Sequence, residues 1–245
     1  MIKFFRKIRQ KLLSENKFSK YLIYAIGEII LVVIGILIAL QINNDNQEKL
    51  NRNYEVTMLR EIQDALEEDI KNMEGGLENI AEVKKSVFKL ASIRSDPSYP
   101  QDSLAYHFSE VRRGGITIAV NYSPYESIKS TGLDKISNSD LRNSITNLYE
   151  VQLKGVEFWV NDFIRRQLYK RGDLVATLFE KEVRPDSIKG IEVEYLINEE
   201  VMQKDEFDDF MILSGGFIPI AERYISVAIR NMKSQVKEIE LELSK

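Results

Sequence analysis

The 245-residue chain contains no cysteine and has only one histidine and one tryptophan. Without cysteine, the chain cannot form disulfides, thiolate zinc sites, thiol nucleophiles or a lipid-modified N-terminal cysteine. The single histidine, His107, cannot supply a typical zinc site. The sequence also lacks a Gly-x-Ser-x-Gly elbow and a phosphate-binding loop. These absences predict a protein that is not an enzyme and that uses no cofactor or metal.

The charged residues are distributed unevenly along the chain. A net charge of −4 argues against a nucleic-acid partner. The first twenty residues nevertheless hold seven lysines and arginines against Glu15 alone, so the rest of the chain is acidic. This asymmetry singles out the N-terminus as a separate segment.

The longest apolar run is YLIYAIGEIILVVIGILIALQI, residues 21–42, in which 14 of 22 residues are Leu, Ile or Val. As a helix it measures roughly 33 Å, which matches a hydrocarbon core of about 30 Å. The aliphatic residues favour insertion by about 4–8 kcal/mol, whereas a charged Glu28 costs about 2.5–3.5 kcal/mol. We predict a transmembrane helix, because a cleaved signal peptide or a buried core helix would have a shorter apolar run.

The flanking charges predict the orientation of this span. Seven basic residues precede it, whereas residues 43–62 hold three. By the positive-inside rule the N-terminus is cytoplasmic and residues 43–245 lie on the far side of the membrane.

Residues 1–20 interleave apolar and basic side chains, which is typical of a short helix that lies on an anionic inner leaflet. A positive flank that only sets the topology is an equal alternative. The proposed membrane-surface residues are Lys3, Arg6, Lys7, Arg9 and Lys11.

The opening block MIKFFRKIRQKLLSENKFSKYLIYAIGEIILVVIGILIALQINN resembles the N-terminus of a family of uncharacterised bacterial membrane proteins. A second patch, SPYESIKSTGLDKISNSDLRNSITNLYE (residues 123–150), is similar to the family's Tyr-x-x-Leu-x-x-x-Gly segment, with Ile128 at the Leu position. Family members usually carry a tryptophan soon after the INN, where this chain has Asp45. The resemblance implies a membrane protein and no reaction. Combined with the charge pattern, it predicts a bacterial inner-membrane protein with a periplasmic domain.

The region beyond the span is predicted to be all-α, with one long helix followed by an antiparallel helical bundle. The long helix is expected over residues 46–92, where apolar residues recur about every 3.4 positions, close to a coiled-coil seam. Gly75-Gly76 is expected to kink or end this helix. The seam residues are Leu59, Ile62, Leu66, Ile70, Met73, Leu77, Ile80, Val83, Val87 and Leu90.

Local signals predict the remaining elements. Ser123-Pro124 has the pattern of a capping box, and Asn138 or Ser139 is expected to cap the next helix. The alternation in residues 191–195 is consistent with a short strand. Residues 205–213 and 219–243 are predicted to be helices that close the chain.

Several chemically suggestive groups have simpler structural explanations. Adjacent carboxylates point in different directions on a helix, so Glu67–Asp69 and Asp205–Asp209 are expected to be solvated faces. Trp159 and its aromatic neighbours are expected to pack in the core. Neither group predicts a binding site.

The candidate contact surface lies within the span. Gly35 and Ala39 each fall within about 20° of Glu28 around a helix. The Gly35-x-x-x-Ala39 spacing is a small-xxx-small pattern that lets two helices approach closely. We therefore expect a helix–helix contact at this face; the alternative is a tolerated carboxyl that reaches toward the headgroups.

The sequence favours a membrane-anchored scaffold or interaction protein that forms a homo-oligomer or binds another membrane protein. One alternative is a periplasmic ligand sensor that acts through a separate partner. The other is an ion-coupled accessory subunit that uses the intramembrane Glu28.

Overall fold

The structure is a computed structural model that describes residues 18–96, 103–186 and 188–245. The proposed membrane-surface residues, from Lys3 to Lys11, lie outside the described residues. The helices in chain order are α1 (Phe18–Ser95), α2 (Leu104–Arg113), α3 (Ser123–Thr131), α4 (Ser139–Asn147), α5 (Lys154–Glu157), α6 (Arg165–Leu178), α7 (Glu199–Met202), α8 (Asp205–Gly215) and α9 (Ile218–Leu243). The strands are β1 (Glu180–Asp186) and β2 (Gly190–Leu196).

The fold is therefore mostly helical, as predicted, with one small sheet. Two π-helical segments, Leu148–Leu153 and Phe158–Ile164, join α4, α5 and α6 into one continuous helical run over residues 139–178. A 3₁₀ turn, Leu133–Lys135, follows α3. The two strands are antiparallel partners, with Val183 opposite Val193.

Helix α1 is a single helix of 78 residues. It contains the boundary between the two compact units of the chain, which divide between Glu55 and Val56. Of the ten predicted seam residues, eight are buried, and Leu77 and Val87 are half-buried. The prediction that Gly75-Gly76 ends the helix is wrong, because α1 continues to Ser95.

Side-chain contacts show the direction of α9 relative to its neighbouring helices within the second unit. Against the 139–178 run, Asn231 bonds Gln152 at 2.7 Å and the rings of Tyr224 and Trp159 stack at 5.3 Å. The later residue on α9, Asn231, contacts the earlier residue on the run, Gln152, so α9 and the run are antiparallel. Helix α9 also runs opposite to α1 through the ion pairs Lys84–Glu222 at 2.9 Å and Glu74–Lys233 at 2.6 Å.

The local capping predictions have mixed outcomes. Asn138 caps α4, since its side chain accepts from the backbone N–H groups of Asp140 and Leu141. Ser123 does not cap α3; it is the first helical residue, and its own N–H donates to Asn121 Oδ1 at 3.1 Å. Pro124 lies in the first turn, where its missing N–H costs no intrahelical bond.

An extended segment without helix or strand, residues 114–122, joins α2 to α3; we call it the connector. Three side chains from distant parts of the chain satisfy its backbone. Asp69 Oδ2 accepts from Asn121 N at 2.9 Å, Asn161 bonds Ile118, and Arg171 donates to Gly114 O at 2.6 Å. These bonds take the place of the ladder that an irregular backbone lacks.

Candidate functional site

The predicted span is a strongly exposed apolar surface in the structure. Fifteen large apolar side chains between Leu22 and Ile42 are exposed, and Ala25 and Glu28 are half-buried. The window of highest hydropathy in this helix has a mean of 2.7 and no buried residue. An apolar surface of this size on a soluble monomer is unusual, so this segment is a candidate membrane span.

A second region passes the same test of length and composition. Residues Asp205–Leu243 reach a mean hydropathy of 1.3, but 39% of that window is buried. The region consists of two helices, and Phe207, Phe210 and Ile225 are fully buried. Such burial is typical of core helices in a folded domain rather than of a membrane span.

Glu28, Gly35 and Ala39 lie on α1, where helical spacing places them on one face. A Cβ added at Gly35 would meet nothing within 4 Å, so the approach to this face is open. The contact predicted for this face requires a second helix packed against the span.

His107 has a structural partner that the sequence did not indicate. Its Nδ1 and the Oγ of Ser86 lie 3.2 Å apart and share a hydrogen bond. Burial, followed by the nearby charge of Lys89, lowers the pKa of His107, so the imidazole is neutral at pH 7. Ser86 is only 4% exposed, which keeps its hydroxyl out of reach of a substrate. The pair joins α1 to α2.

The prediction that Glu67–Asp69 forms a solvated face is wrong for Asp69, which is buried. Burial raises the pKa of Asp69, and the bond from Asn121 N opposes that shift. The carboxylate faces inward because the connector offers it a backbone N–H. Because Asn121 is distant from Asp69 in sequence, the charge pattern around Asp69 could not predict this hydrogen bond.

A tyrosine cluster lies near Asp69 in the core. The rings of Tyr125 and Tyr149 stack at 4.7 Å, and Tyr122 Oη donates to Glu157 at 2.8 Å. Burial raises the pKa of Tyr122 and of Tyr149, so both phenols stay protonated at neutral pH. In the described part of the chain, the buried Tyr149 Oη has no hydrogen-bond partner.

The patch that resembles the family segment contributes to this cluster. Tyr125 and Ile128 are fully buried, and Gly132 has a φ of +115°, which a side chain would strain. Tyr125 Oη donates to Glu150 at 3.1 Å. The three residues of the Tyr-x-x-Leu-x-x-x-Gly pattern therefore have structural roles at the end of α3.

Arg171 is a buried guanidinium that binds backbone. It is 5% exposed and donates to the carbonyls of Val111, Arg112 and Gly114 at 2.6–2.9 Å. These carbonyls lie at the C-terminal end of α2, where acceptors lack intrahelical partners. Burial lowers the pKa of Arg171 to about 10, so it remains charged.

Trp159 belongs to a partly exposed aromatic group, and not to a closed core as predicted. It is half-buried, stacks on Tyr224 and meets the edge of Phe163 at 5.3 Å, while half of Phe158 is exposed. Among the residues that the structure describes, no group of three His, Cys, Asp or Glu side chains is placed to hold a metal ion.

Comparison with protein families gives a match over the first part of the chain. Residues 28–160, more than half of the chain, match the model of a family of unknown function, DUF6090. The matched region contains most of the apolar helix, the connector and the tyrosine cluster. Neither the curated proteins nor the solved structures contain a match to the chain.

Proposed function

We propose that this chain, which belongs to the family of unknown function DUF6090, is a single-pass bacterial inner-membrane protein that works through protein contacts. In this proposal residues 21–42 cross the membrane with the N-terminus in the cytoplasm. Residues 43–245 form a periplasmic domain whose helices make an antiparallel bundle. The protein acts as a scaffold and not as a catalyst.

The observation that carries the proposal is the exposed apolar surface between Leu22 and Ile42. Water does not solvate fifteen adjacent apolar side chains favourably, so this surface requires lipid or a partner helix. The length of this segment matches the bilayer. The basic residues 1–20 precede it and the acidic residues 43–245 follow it, as the proposed orientation requires.

We assign Glu28, Gly35 and Ala39 as the surface through which two copies of the span meet. The glycine and alanine allow close backbone approach, and the carboxyl of Glu28 gains a polar contact away from lipid. Desolvated polar groups in a membrane are stabilised by such contacts, so the three residues act together.

Cysteine crosslinking tests this function, since the native chain has no cysteine to interfere. Gly35→Cys and Ala39→Cys are each oxidised in native membranes. Leu37→Cys, about 180° from Glu28 around the helix, is the matched control. We expect disulfide-linked dimers from the first two variants and few from the control. Failure of crosslinking at every position around the helix would exclude a homodimer.

Two further roles stay hypotheses: a periplasmic sensor with a separate partner, and an ion-coupled subunit that uses Glu28. Glu28→Gln distinguishes the second, because it keeps a polar contact but cannot carry a proton. A cellular function that survives this substitution rules out ion coupling.

A further inference from the structure

The β1–β2 hairpin presents two chemically different faces. In an antiparallel pair, opposite residues share a face and successive residues alternate. The register therefore places Glu182, Arg184 and Glu194 on one face, where Arg184 bonds the two carboxylates at 2.5 and 3.2 Å. The charges on this face are satisfied within the hairpin.

The other face of the hairpin packs on the core at Tyr195, which pairs with Lys181, and is apolar and exposed toward the turn. The register places Val183 and Pro185 opposite Val193 and Ile191 on this face. Val183 is 59% exposed and Ile191 is 60% exposed, although two-stranded hairpins are marginally stable without a packed face. The exposed apolar part of this face, nearest the turn, is where another segment can pack.

This face continues into a groove between α2 and β2. The groove has a volume of about 220 Å³, and its lining includes Phe108, Ser109, Arg112, Arg113 and Tyr195. That volume is below the roughly 300–1,000 Å³ typical of small-molecule sites. A groove of this size suits one side chain of a longer ligand.

The groove is lined by two arginines, Arg112 and Arg113, and by two glutamates, Glu192 and Glu194. The guanidinium of Arg112 lies 4.9 Å from the centre of the Tyr195 ring. Among the described residues, neither Arg112 nor Arg113 forms an ion pair. The carboxylate of Glu194 pairs with Arg184 and that of Glu192 pairs with Lys189, so both glutamates already have partners within the hairpin.

The electrostatic environment of Arg112 also favours binding of an anion. Burial, followed by the charge of Arg113, lowers the pKa of Arg112. An incoming carboxylate would relieve this repulsion. A guanidinium is also planar, with N–H groups that can bond both oxygens of a carboxylate.

We propose that the apolar hairpin face and the arginine groove together bind an acidic, extended peptide segment of a partner protein. The apolar side chains of that segment cover Val183, Pro185 and Ile191, and one of its carboxylates bonds Arg112 and Arg113. This inference rests on the proposed function, because it names the chemistry of a protein partner.

Fluorescence anisotropy of the full chain in mild detergent tests the proposal. The probe is a labelled peptide in which valine alternates with aspartate, and the control peptide carries lysine in place of aspartate. We expect saturable binding of the acidic peptide only. Arg112→Gln should weaken its binding by about tenfold or more, the loss expected for a charge-assisted hydrogen bond.

Two further variants keep the test decisive if Arg112→Gln unfolds. Val183→Thr and Ile191→Thr change exposed positions and should each weaken binding several-fold. The controls are Arg230→Gln on α9 and Val151→Thr on the 139–178 run, and both should leave binding unchanged. Val151, at 63% exposure, matches Val183 and Ile191.

Three results would overturn the proposal. Absence of binding would exclude an acidic segment, and equal binding of the lysine peptide would exclude charge recognition. A loss in Arg112→Gln without any effect of Val183→Thr or Ile191→Thr would leave an anion site that does not recognise a peptide. The assay does not depend on membrane orientation, so its failure is distinguishable from failure of the proposed function.

Discussion

Asn161 pairs with the backbone of Ile118 through both atoms of its side-chain amide. Its Oδ1 accepts from Ile118 N at 2.9 Å, and its Nδ2 donates to Ile118 O at 2.8 Å. This arrangement reproduces one rung of a β-ladder between a π-helical segment and the connector. Ile118 is buried, at 6% exposure.

Asn161→Ala should lower the stability of the second unit by about 2–4 kcal/mol, because two buried backbone groups lose their partner. Thermal unfolding of the full chain in detergent, followed by circular dichroism, measures the change. Asn143→Ala, an exposed position on the same helical run, should change stability by less than about 0.5 kcal/mol. Equal effects of the two variants would contradict this role of Asn161.

Gly114→Ala should destabilise the protein by about 1–3 kcal/mol, because overpacking a close approach forces the neighbours apart. A Cβ at this position would lie 2.7 Å from both methyl groups of Val83. The matched control is Gly172→Ala on α6, where a Cβ meets nothing within 4 Å. That control should be stabilising by up to about 1 kcal/mol, because alanine favours a helix interior. Melting temperatures that move in the same direction for both would contradict the packing at Gly114.

Asp69 should make stability depend on pH. Since burial raises its pKa above the ordinary value of 3.8, the folded state holds this proton more tightly than the unfolded state. The stability contributed by protonated Asp69 is complete below the unfolded pKa and is lost as pH rises through the folded pKa. Asp69→Asn keeps an acceptor for Asn121 N and removes this dependence.

Melting temperatures of the native chain and of Asp69→Asn, taken from acidic to neutral pH, measure the effect. The variant should gain stability over the native chain as pH rises, and the difference should shrink in acid. A difference of the opposite sign would show that the charged carboxylate stabilises the fold.

Gly35→Ile should reduce dimerisation of the span several-fold, because a branched side chain prevents close backbone approach at the proposed face. Crosslinking through Ala39→Cys in native membranes reports the effect. Gly27→Ile is the matched control, because Gly27 lies about 100° from Glu28 around the helix and a Cβ there also meets nothing within 4 Å. Undiminished crosslinking in Gly35→Ile would remove Gly35 from the interface.

Periodic and capping signals predicted the helices well where the decisive interactions are local. The seam of α1, the Asn138 cap and the two closing helices follow from spacing and from short-range hydrogen bonds. Residues 205–213 and 219–243 were predicted as helices, and α8 and α9 extend each by no more than two residues.

The connector could not be predicted, because its partners Asp69, Asn161 and Arg171 are distant in sequence. Gly75-Gly76 looked like a break, yet Gly76 is a contact: a Cβ there would lie 3.1 Å from Ile116 Cδ1. The small residue makes room for the connector. Its cost in helix propensity is thus offset by tertiary packing that no local pattern reveals.

The strand over residues 191–195 was expected from alternation and is confirmed within β2. Its partner β1, EKEVRPD, was missed because charged residues hide the apolar face formed by Val183 and Pro185. The hairpin groove was missed for the same reason. It depends on a register between strands and on α2, which was not predicted.

The most direct test of the account is the side of the membrane on which each end of the chain lies. Single cysteines at Ser14 and at Ser226, an exposed position on α9, are labelled with a membrane-impermeant maleimide in spheroplasts and after lysis. The account predicts labelling of Ser226→Cys in intact spheroplasts, and of Ser14→Cys only after lysis. Labelling of Ser14→Cys in intact spheroplasts, or protection of Ser226→Cys until lysis, would contradict it.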